Sequence, residues 1–392
     1  MINNLFSNFH ALSPLLPALA AFSLLLAGSG SSGSQDGSGL AGAGQEGVGE
    51  ERLGQQGSAE YAPVEPVRGV WLTNIDSEIL FSDTAAARAI DRVADAGFNT
   101  VYPVVWNDGY TLHPSDLMAR TFGEAFRQDT VFAAQGRDPL AVVIREARRR
   151  GLRVIPWFEF GFSSSYQQGG GHILAAKPEW AARDTAGGIL TKNGFEWMNA
   201  LHPEVRAFLI ELVMEVARGY DVDGIQGDDR MPAMPSEGGY SEFTRRLHLE
   251  QTGRPVPADP REPAFLQWKA DRLTDFAVEL HQAVKAHDPS LAVSFSPSIH
   301  PWSKEEYLQD WPAWIAAGAV DELIPQAYRW DIASYRRTID DMVDTFRAAP
   351  GHERVTLQPG IIIKAGDRFN GWDYVSQALA HNRGRGLAGE VY

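Results

Sequence analysis

DVDGIQGDDR, residues 221–230, is a short apolar strand that ends in two consecutive carboxylates, Asp228 and Asp229. It follows LIELVMEVARGY (209–220), whose apolar residues recur at helical spacing, so the order is helix, tight turn, buried strand, acid pair. Strand side chains alternate between faces, which puts Gln226 and Asp228 on one face and Ile225, Gly227 and Asp229 on the other. With Ile225 packed against surrounding helices, Asp228 points into a site and Asp229 leans toward the following loop. One acid of such a pair often caps a helix or pairs with a neighbour such as Arg230. In α/β folds, however, chemistry collects where strands end, and that position favours a functional Asp228.

On either side, short apolar runs alternate with helical segments. RGVWLTN (68–74), NTVYPVVWN (99–107) and LRVIPWFEF (152–160) read as the strands before it. LAVSFSPS (291–298), DELIPQAYRW (321–330), VTLQPGIII (355–363) and AGEVY (388–392) read as those after it. DTAAARAIDRVADAG (83–97) is a helix with Asp83 as its cap and Gly97 as its stop, and DPLAVVIREARRRG (138–151) is another. Eight strands alternating with helices predict an α/β fold of the (β/α)8, TIM-like barrel type. Long loops at 108–137, 161–199 and 230–267 carry the span beyond the ~250 residues typical of that fold, and loops of such length are commonly functional. A doubly wound sheet is the alternative, but no Gly-rich phosphate turn follows WLTN. The sequence stops on the eighth strand with no helix after it, which predicts a barrel truncated there or covered by an N-terminal segment.

The chain has 392 residues, 44% hydrophobic and 22% charged, a composition ample for a large core. Its formal net charge of -15, without a basic cluster, argues against nucleic acid and anionic membrane surfaces as partners. Cysteine is absent, which excludes disulfides and thiolate metal sites. Residues 1–30 hold an apolar run, interrupted by Pro14 and Pro17 and followed by small residues, that reads as a secretory signal engaging the membrane transiently. Its LLLAGSG resembles a lipoprotein signal, but Ser29 stands where the lipid-bearing cysteine is required, so lipid anchoring is impossible. Residues 31–64, rich in Gly, Ser, Gln and Glu, read as a flexible linker, and 65–392 as the barrel. The expected location is therefore outside the cytoplasm: periplasm, cell envelope or medium.

The strand ends gather Asn74, Asp76, Trp106, Asn107, Trp157, Glu159, Asp228, Asp229, Ser296, Ser298, Gln326, Tyr328, Arg329 and Lys364. Aromatic faces with amide and carboxylate groups suit a neutral polyhydroxylated ligand, whose C–H faces stack and whose hydroxyls take hydrogen bonds. Core packing is the expectation for Trp71 and Trp268, whereas Trp106, Trp157 and Trp330 suit either role. Two-His metal motifs, HExxH and GxSxG are missing, so neither metal nor cofactor is expected. Two carboxylates flanking a glycosidic bond remain the simplest chemistry. Asp228 is the first choice for nucleophile or base, with Glu159 or Asp229 as acid. Trp157, Phe158 and Phe160 around Glu159 would raise its pKa by desolvation. Asn74, Trp106, Asn107, Trp157, Asn199, Gln226, Ser296, Gln326, Tyr328 and Arg329 are the expected substrate-binding residues.

Taken in order, RGVWLTN, GFNTVYPVVWN, DPLAVVIREARRRGL, IPWFEFGF, KPEW, WMNALHPEV, YDVDGIQGDD, SFSPS, YLQDWPAW and DELIPQAYR resemble the glycosyl hydrolase-like 10 family, from Arg68 to the C-terminus. The resemblance implies a TIM-like barrel, an exported or lipid-anchored bacterial protein, and hydrolysis of glycan strands, with peptidoglycan the associated substrate. The strand ending in Asp228 is also similar to the alpha-amylase nucleophile strand, D-G-F-R-x-D, with Ile225 for Phe and Gln226 for Arg. There are departures: Arg230 and Met231 follow the acid pair where an aromatic or His is usual, and Ala200 replaces a Pro. Other branches carry Asn where Glu159 stands, which would make Glu159 a substrate-binding residue if mechanism is shared. The leading expectation is a glycoside hydrolase acting on a cell-wall or envelope polysaccharide. A non-catalytic glycan-binding protein and a transglycosylase using the same carboxylates are the rivals, and no protein partner is expected.

Overall fold

The computed structural model describes residues 66–75 and 77–392. The signal-like segment, the Gly/Ser-rich linker and Asp76 lie outside the described residues. Eight parallel strands form the centre: β1 Arg68–Leu72, β2 Thr100–Pro103, β3 in two pieces (Arg153–Val154 and Trp157–Phe158), β4 Gly224–Gly227, β5 Ala292–Phe295, β6 Glu322–Leu323, β7 Thr356–Leu357 and β8 Glu390–Val391. Ladders run β8-β1-β2-β3 and β3-β4-β5-β6-β7. Two isolated bridges link them, Val104 with Trp157 and Gly360 with Val391, and Ile361 N donates to Val391 O at 2.8 Å. The strands therefore run in a ring, the TIM-like barrel.

Helices follow the strands on the outside: α1 Asp83–Asp95, α2 Pro139–Arg149, α3 Pro203–Gly219, α4 Pro263–His287, α5 Trp311–Ala316, α6 Ile332–Ala348 and α7 Trp372–Gly384. Ser82, not Asp83, caps α1, its side chain accepting from Ala85 N, and Asp83 sits in the first turn, where its charge favours the helix dipole. Asp138 caps α2 through Ala141 N. Gly97, at φ +83°, follows the C-terminus of α1.

The strands are shorter than the apolar runs suggested, and proline is the reason. Pro156, Pro297, Pro325 and Pro359 each stand two residues past the last ladder residue of β3's first piece, β5, β6 and β7, and Pro103 ends β2. Lacking an N–H, a proline breaks the donor side of the ladder, yet its carbonyl still accepts. Gln226 N donates to Pro156 O, Gln326 N to Pro297 O and Gly360 N to Pro325 O, each at 2.9 Å. A layer of prolines thus marks the C-terminal rim. The expected long loops also carry structure of their own. The one after β2 opens with a hairpin, Trp106–Asn107 with Tyr110–Thr111, and the one after β3 holds a three-stranded antiparallel sheet (Ser163–Tyr166, Thr191–Lys192, Phe195–Trp197). The one after β4 includes the helix Glu242–Thr252.

Candidate active site

β4 delivers the acid pair. Ile225 is fully buried on the helix side. Gln226, on the opposite face, reaches across the barrel: its Oε1 accepts from Trp71 Nε1 of β1 at 2.7 Å, and its Nε2 donates to Ser294 Oγ of β5 at 2.9 Å. Alternation turns Asp228 inward one layer higher. There its Oδ1 accepts from Gln326 Nε2 at 2.6 Å, and Gln326 Nε2 also donates to Ser296 O at 3.2 Å. Gln309 fastens the turn that follows. Its Nε2 donates to the carbonyls of Asp228 (3.2 Å) and Pro232 (3.3 Å), and its Oε1 accepts from Ser298 N at 3.2 Å.

Glu159 arrives from the end of β3. Gly161, at φ +50°, brings that chain so close to the loop after β4 that a Cβ there would lie 2.1 Å from Arg230 O. Asn107 Nδ2 donates to Glu159 Oε2 at 2.6 Å and to Asn74 Oδ1 at 3.1 Å. Arg230 then ties the acids together. Its Nη2 lies 3.3 Å from Glu159 Oε1 and 3.5 Å from Asp228 Oδ2, and its Nη1 lies 3.1 Å from Asp229 Oδ1. The guanidinium is held over the rings of Phe195 at 4.7 Å and Phe160 at 5.9 Å. Because one nitrogen touches both acids, those oxygens of Glu159 and Asp228 lie no more than about 7 Å apart, a spacing found in carboxylate pairs that cleave glycosidic bonds.

Burial governs the protonation of this cluster. It lifts Glu159 to about 7, with the charge of Asp229 adding to the rise and Arg230 and the Asn107 amide opposing it. Asp228, 2% exposed, is raised well above the carboxylate range, by burial first and then by Asp229 and Glu159, against Arg230. Burial alone would lower Arg230, but the three carboxylates more than offset it and keep the guanidinium charged. Glu159 and Asp228, sharing that guanidinium, retain a proton between them near neutral pH. Depth places it on Asp228, whose side chain is 3% exposed against 17% for Glu159, although Gln326 and the backbone N–H of Asp229 both donate to it. Tyr328 is also raised well above its usual value, by burial and then by Asp228, Asp229 and Glu159.

Of the residues expected to bind substrate, Asn74, Asn107 and Gln326 belong to this hydrogen-bonded cluster. Trp157 and Tyr328 pack around Trp71, whose ring centroid is 6.1 Å from Trp157 and 6.4 Å from Tyr328. Trp157 Nε1 and Ser296 Oγ are buried with no hydrogen-bond partner among the described residues, so water or a ligand must supply one. Gln226 lies a layer below, its amide committed to Trp71 and Ser294. Three residues are not brought to the cluster. Trp106 is fully buried, donates Nε1 to Gly161 O at 3.0 Å and packs on Phe208 of α3, which leaves no face for a ligand. Asn199 is saturated by Ser241 Oγ, Thr244 Oγ1 and Leu201 N. Arg329 donates Nη1 to Tyr328 O and lines a cavity beside Trp302. Gln309 and Phe195 were not expected here, and Arg230, expected at most as a partner for one acid of the pair, contacts Asp228, Asp229 and Glu159 together. A signal for Arg230 existed, since a buried acid pair calls for a cation and Arg230 follows directly. Among the described residues no group of three or more His, Asp or Glu side chains is arranged to hold a metal ion.

The glycosyl hydrolase-like 10 profile matches residues 66–365. The chain belongs to the glycosyl hydrolase-like 10 family. Within curated proteins it is similar to the glycosyl hydrolase DigH of Escherichia coli K12, 25% identical over 307 residues that cover 67% of this chain and 66% of DigH. It is also similar to the glycosyl hydrolase YngK of Bacillus subtilis, 23% identical over 236 residues covering 53% of this chain and 42% of YngK. The matched region thus spans less than two thirds of either relative. Among solved structures, the glycoside hydrolase domain of PgaB (BpsB) from Bordetella bronchiseptica superposes with a TM-score of 0.60 at 16% identity, covering 84% of this chain and 94% of that one. Alpha-L-fucosidase isoenzyme 2 from Paenibacillus thiaminolyticus gives 0.55 at 19% identity, covering 83% and 45%. At such identities the structural likeness speaks for the shared barrel alone.

Proposed function

We propose that this member of the glycosyl hydrolase-like 10 family is an exported glycoside hydrolase that cleaves glycan strands of the bacterial envelope, peptidoglycan strands first among them. The observation that carries the reading is the Glu159–Arg230–Asp228 arrangement, two carboxylates on one guanidinium, one of them keeping a proton. Glycosidic cleavage needs that pairing, an acid for the leaving oxygen and an ionised partner as base or nucleophile. In this reading Asp228 is the acid and Glu159 the ionised partner. That reverses the roles expected from the sequence, because the deeper burial of Asp228 favours the proton there. The bound of about 7 Å on those two oxygens admits both the ~5–5.5 Å spacing of retaining enzymes and the lower part of the ~6.5–9.5 Å range of inverting ones. The acceptor specificity that would make it a transglycosylase has no separate support.

Release of reducing ends from peptidoglycan glycan strands, with and without stem peptides, tests the activity in the parent and in Asp228→Asn. Substrates with a good and a poor leaving group test the roles. An acid is dispensable when the leaving group departs unaided, so Asp228→Asn should retain turnover on an activated aryl glycoside that Glu159→Gln loses. The opposite pattern restores the sequence expectation. The near-complete closure over Asp228 favours, as second reading, a glycan-binding protein without turnover. That reading is adopted if the parent binds glycan strands and releases no reducing ends.

A further inference from the structure

Large aromatic side chains remain exposed at the rim: Phe369 and Trp372 are each 49% exposed and Trp302 is 47%. Scattered singly, exposed apolar residues need no explanation. Phe369 and Trp372 are different because they lie three residues apart, one on the hairpin after β7 and the other at the first position of α7, and that hairpin is firmly attached. It pairs Lys364 with Phe369 and Ala365 with Arg368. Beyond it, Asn370 is buried and donates Nδ2 to Arg329 O at 3.1 Å and to Ile362 O at 2.9 Å. Tyr374 OH donates to the same Arg329 carbonyl at 2.7 Å, and the Arg368 guanidinium lies 4.5 Å from the Trp330 ring. The loop after β7 is thereby fixed to the segment 326–330, which begins with Gln326 on Asp228 and passes Tyr328 beside Trp71. Arg329 and Trp302 both line a cavity of 520 Å³.

We propose that Phe369 and Trp372 form a distal sugar subsite that stacks pyranose rings of the same glycan chain whose scissile bond lies at Glu159 and Asp228. The inference rests on the carbohydrate reading of the site and extends it: the ligand is an extended chain, recognised several units away from the bond that is cut. Aromatic faces bind the C–H side of a sugar without regard to linkage, and a pre-fixed platform loses little entropy on binding. The continuity of the 326–330 segment from Asp228 to this platform gives the chain its direction.

The test compares the full chain with its Phe369→Ala/Trp372→Ala variant, using chitooligosaccharides from disaccharide to hexasaccharide as probes, in affinity electrophoresis and in hydrolysis. Both positions are exposed, so the variant should unfold at the parent's temperature. The expected result is about tenfold weaker retention of the hexasaccharide with no change for the disaccharide, a raised KM and unchanged kcat wherever turnover occurs, and recovery in Phe369→Tyr/Trp372→Tyr. Weakened retention without turnover in either protein supports the subsite while removing the hydrolase reading. Equal retention of the hexasaccharide by both proteins, or none by either, overturns the subsite whatever the turnover.

Discussion

Replacing Arg230 by Met should move the acid limb of the pH–rate profile upward by about two units. Nη2 of Arg230 lies 3.3 Å from Glu159 Oε1 and 3.5 Å from Asp228 Oδ2. A unit charge about 4 Å away is worth about 4 kcal/mol at an effective dielectric constant of about 20, or about three pK units at 1.36 kcal/mol each. Water entering the vacated space takes back part of that, leaving about two units. The sign follows from the charge: Arg230 stabilises ionised Glu159, so its loss raises a pKa that already stands at about 7 to about 9. At neutral pH the ionised fraction of Glu159 would fall from about a half to about a hundredth, and kcat/KM with it, by about fifty-fold. Raising the pH should recover the rate roughly tenfold per unit until about pH 9, because Asp228 keeps its proton still more firmly in the variant. The assay is kcat/KM across pH on one soluble glycan, with circular dichroism to establish that the variant is folded, and Arg230→Lys as a control that retains charge. An acid limb that stays in place while the rate falls uniformly would refute the argument and make Arg230 a substrate contact or a structural pin.

Other perturbations have outcomes set by the same geometry. His113 is fully buried with both ring nitrogens unpartnered among the described residues, and burial lowers its pKa to about 4. The unfolded chain takes up this proton first as pH falls from about 6.5, so stability present at neutral pH is lost on the way to about pH 4, by about 2 kcal/mol at pH 5. Urea unfolding of His113→Leu at neutral pH and at pH 5 should show a drop smaller by that amount, and equal drops would contradict it. Gly161→Ala would place a Cβ 2.1 Å from Arg230 O at a φ of +50°. It should cost more than about 2 kcal/mol in urea unfolding, because neither backbone can yield without moving Glu159 or Arg230. Gln309→Leu leaves the Pro232 carbonyl and the Ser298 N–H without their side-chain partner, while the Asp228 carbonyl keeps only Met231 N, and should cost about 1–3 kcal/mol, with activity falling further than stability as Asp228 shifts.

The barrel was legible in the sequence because its signals are local. Ile225 outward, Gln226 inward and Asp228 at the end follow from alternation alone, and strand and helix alternate from residue 68 onward. The strand lengths were not legible from apolar runs, since Ser-Pro and Ile-Pro inside those runs look like strand until the missing N–H is counted. Trp106 illustrates a second limit. It was read as the end of a barrel strand, but the chain leaves the barrel after Val104 and turns into a hairpin, which swings the indole behind the site. Asn199 was expected to bind substrate, and its three hydrogen bonds show a turn being held instead. The pairing of Arg230 with its neighbouring acids was open to the sequence, but its contacts with Glu159 and Phe195 were not, because those residues are distant in the chain and joined only by packing.

The proline layer at the rim has a consequence for how this barrel can change. Each of these residues fixes its own φ and offers its neighbour only an oxygen, so the register of the strands is settled before the excursions begin. Lengthening or exchanging the segments that follow leaves the staves of the barrel aligned, and Asp228 remains where β4 puts it. Such a rim works as a splice line: ligand preference can be rewritten on one side of it while the hydrogen-bonded ring on the other side is inherited intact.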